Sequence, residues 1–381
     1  MRSVAPVVGR SMEKTAIFDE RIERAGLGSI AAKVDKGERL SRDDGLRLMA
    51  NPDLLAVGVL ADRVRRRLHG RDAYFIRNQH INYSNICVNL CRFCAFGRAE
   101  GAEGAYRMSL DEIRRKIEGR LEERISEVHI VGGLDPELPW EYYLEMLRLI
   151  GELRPDVHIQ AFTCVEIAHF AEKFGKSVQE VLEELSEAGL GSIPGGGAEV
   201  FSGRVRAELC PTKLGPQGWL EVAGTAHRMG IPSNATMLYG HIETAAEAVD
   251  HLIALREAQD ESGGFLTFIP LAFHSENTGL AGLPPTTGFA DLRAIAVGRL
   301  MLDNVPHIKS FWIMVGTKIA QLTLTFGADD IDGTVIEERI THMAGARTAE
   351  SLSVAELLDL IRGAGCRPME RDTVYNVLKE Y

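Results

Sequence analysis

Cysteine is scarce in this chain, and its distribution excludes a fold held together by disulfides. The 381 residues include six cysteines, and three of them lie in the eight-residue stretch Cys87–Cys94. Small secreted domains spread paired cysteines along a short chain, whereas a cluster within a long chain is typical of a metal site in a reducing compartment. We therefore expect a cytoplasmic protein with a metal-binding loop.

Excess positive charge and long apolar runs are also lacking. The formal net charge is −11 and the sequence pI is about 5.6, so no broad cationic surface for nucleic acid or anionic lipid is expected. No apolar run approaches the roughly 20 residues that a helix needs to span a bilayer, so no membrane partner is expected. A chain that is 45% hydrophobic and 25% charged can bury the core of one large domain.

From residue 80 onward the chain alternates between β-rich runs and helical patterns. Eight runs are predicted to be strands, namely HINYS, SEVHIVGG, VHIQAFTCVE, GSIPGGGAE, PSNATMLYG, GFLTFIPLAF, HIKSFWIMVG and LTLTFG. Helices between them imply parallel strands, and eight such units can close into a barrel. A doubly wound open sheet is the competing fold. Because no dinucleotide-type glycine fingerprint opens the series, the sequence favours an α/β fold, a (β/α)8 TIM-type barrel.

Several helix starts are marked by capping boxes, in which a Ser or Thr and a Glu three residues later satisfy free backbone groups. The predicted boxes are Ser109 with Glu112, Ser177 with Glu180, Thr244 with Glu247, and Ser353 with Glu356. The patterns divide the chain into an N-terminal helical extension (1–75), the barrel (76–330) and a C-terminal helical extension (331–381). Both extensions are expected to pack outside the barrel.

The clustered cysteines follow the first predicted strand, at the end of a barrel where active sites collect. A structural zinc site normally has four protein ligands, and a ferredoxin cluster takes four cysteines. Three thiolates would leave one iron of a [4Fe–4S] cluster open for a ligand that is not protein. The alternatives are three buried thiols or a zinc knuckle with a remote fourth ligand. Cys164, Cys210 and Cys366 are interpreted as packing residues.

The C-x-x-x-C-x-x-C motif resembles the radical S-adenosylmethionine superfamily, because the aromatic Phe93 precedes its last cysteine and a strand precedes its first. The resemblance implies that Cys87, Cys91 and Cys94 hold a [4Fe–4S] cluster and that Phe93 belongs to the cofactor loop. It also implies that S-adenosylmethionine chelates the fourth iron and is cleaved by an electron from the reduced cluster. The products of that cleavage are methionine and a 5′-deoxyadenosyl radical.

The segment VGGLDP after the second strand resembles the glycine pair of this superfamily. The resemblance implies that the backbone of Gly132 and Gly133 meets the methionine amino group, and only a bare backbone lets a ligand come so close. Leu134 stands where many members have Glu, so no side-chain contact is expected at that position.

Four further positions are candidate cofactor contacts. The segment TMLYGHIE resembles the adenine-side segment of the superfamily, which implies roles for Gly240 and Glu243. The alternative for Glu243 is a charge at a helix start. Glu166 and Glu199, near the ends of the third and fourth strands, are candidate ligands of the ribose hydroxyls. The alternative for both is a solvated loop acid.

Longer stretches narrow the resemblance. HINYSNICVNLCRFCAF, PGGGAEVFSGRVRAELCP, SNATMLYGHIET and FIPLAFHSENT are together similar to the aminofutalosine synthase family of the futalosine route to menaquinone. The alternatives within the superfamily are cyclic dehypoxanthine futalosine synthase and the deazaflavin-forming enzymes. Outside it, an iron–sulfur electron carrier or a zinc structural protein stays open.

The family resemblance implies a specific reaction. The 5′-deoxyadenosyl radical adds to 3-[(1-carboxyvinyl)oxy]benzoate, the aryl group migrates, and loss of bicarbonate gives 6-amino-6-deoxyfutalosine. S-adenosylmethionine is thus consumed as a co-substrate. An electron donor such as flavodoxin or ferredoxin is also implied.

A substrate with two carboxylates needs cationic or amide partners, and a bidentate arginine is the natural one. Arg204 and Arg206, after the fourth strand, are the candidates, and the alternative is a solvent-facing helix start. His274, Asn277 and His241 are candidates for substrate binding or late proton transfer. A lone loop histidine is more often a hydrogen-bonded structural residue.

Overall fold

The computed structural model describes residues 17–381, and parallel strands alternate with helices through most of that range. The strands are β1 (Asp72–Ile76), β2 (Asn78–Ile81), β3 (Glu127–Ile130), β4 (His158–Ala161), β5 (Ser233–Tyr239), β6 (Phe265–Ala272), β7 (His307–Ile308), β8 (Asp330–Gly333), β9 (Arg367–Arg371) and β10 (Val377–Glu380). Residues 1–16 of the predicted N-terminal extension lie outside the described range.

Helices occupy the crossovers between the strands and much of both ends of the chain. Residues 17–24 are helical, and the remaining helices are Gly28–Lys36, Arg42–Ala50, Leu54–His69, Leu110–Glu118, Trp140–Leu153, Cys164–Phe174, Val178–Glu187, Gly203–Leu209, Pro216–Arg228, Ala245–Ser262, Gly288–Met301, Trp312–Val315, Thr317–Thr323, Ile340–Met343 and Val354–Gly363. All four predicted capping boxes are confirmed, because each Ser or Thr side chain accepts from the backbone and each Glu side chain accepts in return.

The barrel is built from three arcs of hydrogen-bonded strands. The arcs run β2–β3–β4, β5–β6–β7 and β8–β1–β9–β10, and every pairing is parallel except that of β9 with β10. Isolated parallel bridges join the arcs, namely Gln160 with Ser192, Ile193 with Ser233, Lys309 with Asp330, and Gln79 with Ile336. These bridges close the ring, so the predicted TIM-type α/β fold is confirmed.

Three of the eight predicted strands differ in the structure, and the first of these, HIKSFWIMVG, is a strand only at His307–Ile308 before a helix begins at Trp312. Residues 191–199 contribute only isolated bridges, because Gly197 (φ 89°) and Glu199 (φ 53°) adopt left-handed backbone conformations that an extended strand excludes. The LTLTFG prediction is wrong, since Thr317–Thr323 is helical and Thr323 Oγ1 donates back to the Ala320 carbonyl. The strand at this point of the ring is the acidic β8, Asp330–Gly333.

The terminal segments contain strands that the sequence did not predict. β1 lies inside the stretch expected to be helical, and it pairs in parallel with both β8 and β9. β9 and β10 lie in the C-terminal stretch, where Val354–Gly363 is the main helix. At the other end of the chain, Leu54–His69 packs against Gly288–Met301 on the outside of the barrel. The domain boundaries themselves stay a prediction.

Buried charges are paired at the amino-terminal end of the barrel. Asp329 accepts from the guanidinium of Arg299 and lies 2.6 Å from Nδ1 of His307. Asp330 accepts from Nε of Arg371 at 2.6 Å, and both side chains are 1% exposed or less. A carboxylate removed from water needs such a partner, because its desolvation costs several kcal/mol otherwise. These pairs explain how an acidic sequence can form a buried strand.

None of the helices in the described part of the chain combines the length and the apolar composition that a membrane span requires.

The Arg371–Asp330 pair predicts a measurable loss of stability on substitution. Arg371→Met should lower the free energy of unfolding by about 3–5 kcal/mol, because the Asp330 carboxylate is then buried without its partner. Urea unfolding followed by circular dichroism measures the change. Arg367→Met is the matched control, since Arg367 lies on the same strand with a half-exposed side chain paired to Asp72 and should cost less than about 1 kcal/mol. Equal losses in the two variants would contradict this account.

Candidate active site

A cavity of about 340 Å³ lies at the carboxyl ends of the strands and extends into the barrel. Ligand pockets span about 300–1,000 Å³, so it can enclose a small molecule. The sequence-predicted residues that line it are Cys87, Cys91, Phe93, Cys94, Gly132, Gly133, Glu166, Glu199 and His274. The predicted residues that do not line it are Arg204, Arg206, Gly240, His241, Glu243 and Asn277.

The cysteine loop is held in place by backbone hydrogen bonds. The Cys87 N–H donates to the Arg98 carbonyl and the Cys94 N–H donates to the Cys91 carbonyl, both at 2.9 Å. Gly97 donates its N–H to Sγ of Cys94 at 3.3 Å. Burial raises the pKa of the Cys94 thiol, and the Gly97 N–H opposes that rise. The loop therefore presents sulfur ligands to one side, where the cavity lies.

A further cysteine lies close to this loop, which the sequence did not indicate. The thiol of Cys210 interacts with the thiol of Cys91, and this interaction together with burial raises the pKa of Cys91. The same interaction lowers the pKa of Cys210. Cys210 does not line the cavity, so it lies behind Cys91.

The predicted glycine pair packs directly against the cysteine loop. A Cβ at Gly133 would overlap the carbonyl oxygen of Ile86, and a Cβ at Gly132 would overlap the ring of Tyr83. The Gly133 N–H donates to the Ser84 carbonyl at 2.7 Å. The structure thus gives both glycines a packing reason, and their predicted contact with the methionine amino group stays a prediction.

The carboxylate of Glu166 is buried and hydrogen-bonded within the protein. Its carboxylate is 1% exposed and accepts four hydrogen bonds: from Tyr83 OH (2.8 Å), Gly132 N (3.0 Å), Thr163 N (2.7 Å) and Thr163 Oγ1 (2.8 Å). Burial raises the pKa of this carboxyl group, and the four donors oppose the rise. Four donors fill the acceptor capacity of a carboxylate. Glu166 therefore joins three loops at the edge of the cavity, and its predicted role toward the ribose hydroxyls stays a prediction.

Glu199 connects the fourth unit to the cysteine loop. Its Oε1 accepts from Nζ of Lys213 at 2.6 Å, and the same ammonium lies 5.3 Å from the centre of the Phe93 ring. Burial would lower the pKa of Lys213, but the adjacent Glu199 carboxylate raises it above its ordinary value. Glu199 retains a free oxygen beside the cavity, so its predicted role toward the ribose hydroxyls remains a proposal.

The predicted adenine-side residues form a closed local loop. Glu243 accepts from the backbone N–H of Gly240 at 2.6 Å and of His241 at 2.9 Å. Nε2 of His241 lies 3.0 Å from the carbonyl oxygen of Leu238. Gly240 is left-handed (φ 87°), which this tight turn requires. Leu238, just before the turn, lines the cavity, whereas the three predicted residues support it from outside.

Both predicted arginines lie outside the cavity, which corrects the expectation about substrate carboxylates. Arg204 is 54% exposed and pairs with Glu247, the capping-box residue of the helix Ala245–Ser262. Arg206 is buried and donates to the backbone carbonyls of Ala198 and Leu214. The sequence could not reveal these partners, because they become neighbours only through the fold.

The remaining candidate side chains divide between the cavity and the surface. His274 lines the cavity, and its Nε2 lies 2.9 Å from the Met314 carbonyl oxygen. Asn277 is left-handed (φ 60°), exposed, and donates to the Met343 carbonyl at 3.1 Å. Asn277 is therefore a loop residue that does not line the cavity, and its expected role toward the substrate stays a prediction.

The inner part of the cavity is polar, which sequence reasoning missed. Its side chains come from the starts and middles of the strands: Asn78, His80, Glu127, His129, Gln160, Asn234, Thr236, Lys309 and Asp332. The rings of His80 and His129 stack with centroids 4.5 Å apart, and burial lowers the pKa of both imidazoles. A barrel interior is usually packed with branched apolar residues, so this polar surface points to a ligand. The signal in the sequence is the polar residue at alternate positions, as in NQH and EVH.

Comparisons with known proteins identify the family. The model of the radical S-adenosylmethionine superfamily matches residues 81–255, and the model described as the CofH/MqnC C-terminal region matches residues 262–380. An aminodeoxyfutalosine synthase from Thermus thermophilus is 46% identical over 354 residues, which cover 92% of this chain and 95% of that protein. The chain belongs to the radical S-adenosylmethionine superfamily.

Two other relatives of this radical enzyme are named for two different reactions. An aminodeoxyfutalosine synthase from Streptomyces coelicolor is 44% identical over 360 residues, covering 92% of this chain and 93% of that protein. A 5-amino-6-(D-ribitylamino)uracil–L-tyrosine 4-hydroxyphenyl transferase from Archaeoglobus fulgidus is 41% identical over 321 residues. The match covers 84% of this chain and 92% of that protein. Membership in this superfamily favours an enzyme over an electron carrier or a zinc structural protein.

Solved structures show the same fold. Methylornithine synthase superposes with a TM-score of 0.70 at 18% identity, covering 89% of this chain and 96% of that chain. The hydrogenase maturase HydG from Carboxydothermus hydrogenoformans superposes with a TM-score of 0.69 at 18% identity, covering 97% of this chain and 85% of that chain.

The site residues of this radical enzyme fit the cofactors that its superfamily uses. Thiolates are the ligands of iron–sulfur clusters, and N–H donors to sulfur tune them, as the Gly97 N–H does here. Cys87, Cys91 and Cys94 line one face of the cavity and would hold a [4Fe–4S] cluster. The adjoining cavity would take S-adenosylmethionine. When bound, the cluster supplies the electron that cleaves the sulfonium.

The cysteine loop generates the first test of this site. Replacing Cys87, Cys91 or Cys94 by Ala should remove almost all cluster iron and sulfide and should abolish cleavage of S-adenosylmethionine. Anaerobic reconstitution followed by iron and sulfide analysis measures the first effect, and methionine release measures the second. Cys164→Ala is the control, because Cys164 is buried and does not line the cavity. A Cys91→Ala protein that still cleaves S-adenosylmethionine would disprove the assignment.

The close approach of Gly133 to Ile86 generates a second test. Gly133→Ala should cost about 1–3 kcal/mol of stability, because its methyl group meets backbone that no rotamer change can move. The strain falls on the cysteine loop, so cluster content should fall together with the thermal midpoint. Gly151→Ala is the matched control, since Gly151 lies in the last turn of the helix Trp140–Leu153 with nothing within 4 Å of the added Cβ, and this change should be neutral or stabilising. Full cluster content in Gly133→Ala would refute the packing argument.

Proposed function

We propose that this enzyme is an aminofutalosine synthase. In the proposed reaction the 5′-deoxyadenosyl radical adds to the vinyl carbon of 3-[(1-carboxyvinyl)oxy]benzoate, and the aryl group then migrates from oxygen to carbon. The resulting alkoxy radical would expel the carboxyl group together with the unpaired electron, that electron would return to the cofactor that supplied it, water would take up the carbon dioxide as bicarbonate, and the product would be 6-amino-6-deoxyfutalosine. The reaction would serve menaquinone biosynthesis, with S-adenosylmethionine consumed as a co-substrate.

The observation that carries the proposal is the extent of the similarity to two aminodeoxyfutalosine synthases. Identities of 46% and 44% extend over 92% of this chain in both cases. The similarity therefore includes the cysteine loop, the barrel and the C-terminal segment together. A relative that shared only the cluster-binding loop would not match over that length.

The shape of the cavity is consistent with the proposed chemistry. An adenosyl radical reacts productively only when the alkene lies about 3–3.5 Å away, so the enzyme must hold both reactants in a fixed orientation. The cavity near the cysteine loop is walled by apolar side chains that exclude water, among them Val165, Leu238, Leu271, Phe273 and Phe311. Lys213 and Lys309 are the cationic side chains among the described residues that line it.

The tyrosine-dependent relative provides a second candidate function. Its name describes a transferase that acts on L-tyrosine and 5-amino-6-(D-ribitylamino)uracil, and it is 41% identical to this chain. That identity is lower than to either synthase and covers 84% of this chain rather than 92%. We therefore favour the synthase, with cyclic dehypoxanthine futalosine synthase as a further alternative.

A product assay distinguishes these functions. Reconstituted enzyme is reduced with a flavodoxin or ferredoxin system, or with dithionite, and incubated anaerobically with S-adenosylmethionine and 3-[(1-carboxyvinyl)oxy]benzoate. We expect a benzoate-bearing nucleoside by mass spectrometry, with methionine and bicarbonate released in equal amounts. Free 5′-deoxyadenosine should be a minor product, because radical addition replaces hydrogen abstraction.

The alternatives give other product patterns. Cyclic dehypoxanthine futalosine synthase would form 5′-deoxyadenosine as a main product and would turn over only with dehypoxanthine futalosine. The tyrosine-dependent enzyme would require L-tyrosine and the ribitylaminouracil. Stoichiometric 5′-deoxyadenosine without a nucleoside adduct would overturn the synthase assignment and leave the superfamily unchanged.

A further inference from the structure

Lys309 is a buried cation whose ammonium group faces the inner part of the cavity. It follows β7, is 7% exposed, and lines the cavity. Its nearest carboxylate oxygen is Oδ1 of Asp332, at 3.7 Å, and within the described chain Nζ makes no hydrogen bond to another residue. An ammonium group has three donors, and leaving them unmade in a buried site is costly. The position therefore calls for an acceptor that the protein does not supply.

The acidic neighbours of Lys309 make their hydrogen bonds to other groups, although Glu127 shares charge with Lys309: burial would raise the pKa of Glu127, but the nearby His129 and Lys309 lower it. Burial raises the pKa of Asp332, which weakens it as a counter-ion. Glu127 accepts from Oγ1 of Thr373 at 2.9 Å and from Nδ2 of Asn78 at 3.4 Å. Asp330 is taken by Arg371 at 2.6 Å. Lys309 thus remains available to a ligand in the cavity.

The other cations near the site have partners of their own. Lys213 is bonded to Glu199, Arg204 to Glu247, and Arg206 to two backbone carbonyls. Of the two lysines that line the cavity, Lys213 lies at the cysteine end, over the Phe93 ring. Lys309 lies on the wall of the barrel among His80, His129 and Gln160. Among the described residues, the inner cavity therefore has one cation whose ammonium group makes no hydrogen bond, and polar groups that include the carboxyl groups of Glu127 and Asp332 lie around it.

The geometry points to Lys309 as the binding residue for a carboxylate on the end of the substrate that is remote from the cysteine loop. This inference rests on the proposed function and deepens it. The alkene must lie toward the cysteine loop, where the adenosyl group is generated, so the benzoate end points into the barrel. The ligand group that Lys309 meets is then the aryl carboxylate. Gln160 and the neutral imidazoles of the two stacked histidines would add polar contacts to the aryl ring of the substrate.

The assignment also gives a basis for selectivity. An aryl carboxylate supplies an anion for Lys309, whereas the phenol ring of tyrosine supplies a neutral hydroxyl group. A buried cation left without its anion penalises the wrong ligand more than a lost neutral contact would. Lys309 therefore favours the benzoate substrate over a phenol.

Ligand binding without turnover tests the inference. The cluster-loaded enzyme, with S-adenosylmethionine but without reductant, is titrated anaerobically with 3-[(1-carboxyvinyl)oxy]benzoate and, separately, with the corresponding benzamide. Isothermal titration calorimetry measures both affinities. Parent enzyme should bind the benzoate at least about tenfold more tightly, as expected for one charge-assisted hydrogen bond. Lys309→Met should lose that preference and bind the benzoate at least about tenfold more weakly.

Two variants separate charge from packing. Lys309→Arg keeps the cation and should retain a preference for the benzoate. Lys318→Gln removes an exposed lysine on the neighbouring helix and should leave both affinities unchanged. The two ligands can be compared on parent enzyme without any variant. The inference can therefore still be disproved if the Lys309→Met protein fails to fold.

The outcomes distinguish this inference from the proposed function. Equal affinity of parent enzyme for the two ligands, or a preference that persists in Lys309→Met, would overturn the role of Lys309 while product formation still supports the synthase. Failure of parent enzyme to bind either ligand would overturn both, because the inference takes its substrate from the proposed function.

Discussion

The buried carboxylate of Glu166 is the interaction on which the geometry of the site depends. It accepts hydrogen bonds from Tyr83 in the loop after β2, from Gly132 in the loop after β3, and from Thr163 in the loop after β4. A buried carboxylate that loses its donors pays a large desolvation cost, so these three loops can move only together. The cysteine loop is thereby fixed relative to the wall of the cavity.

A second constraint governs the barrel interior, because each charge buried there needs a partner. At the amino-terminal end the protein supplies the partners itself, through Arg299 for Asp329 and Arg371 for Asp330. Closer to the cavity the pairing is incomplete, since Lys309 retains free donors. The buried carboxylates that support the fold are thus paired within the protein, whereas the ammonium group of Lys309 is proposed to meet a ligand. The stability of the fold and the proposed binding of a ligand both depend on the requirement that a buried charge has a partner.

Features with local causes were predictable from the sequence. Capping boxes depend on two residues three positions apart, and all four predicted boxes are present. The cysteine motif likewise depends on spacing within one loop. Errors arose where alternation alone was used: LTLTFG has the periodicity of a strand but continues a helix. The acidic β8 was missed because its carboxylates are buried by a distant arginine, which no local pattern reveals.

By itself the sequence determined the three-cysteine motif, the alternation of strands and helices, and the resemblance to a family, because each follows from residues that are close along the chain. Tertiary structure decided which charged groups face the cavity. Arg204 and Arg206 are near the site in sequence, yet their donors are taken by partners that the fold brings to them. Lys309 is more than 200 residues from the cysteines, yet parallel strand pairing places it on the wall of the same cavity. The physical reason is that a hydrogen bond requires two groups to be close in space. Residues that are far apart along the chain become close only through folding.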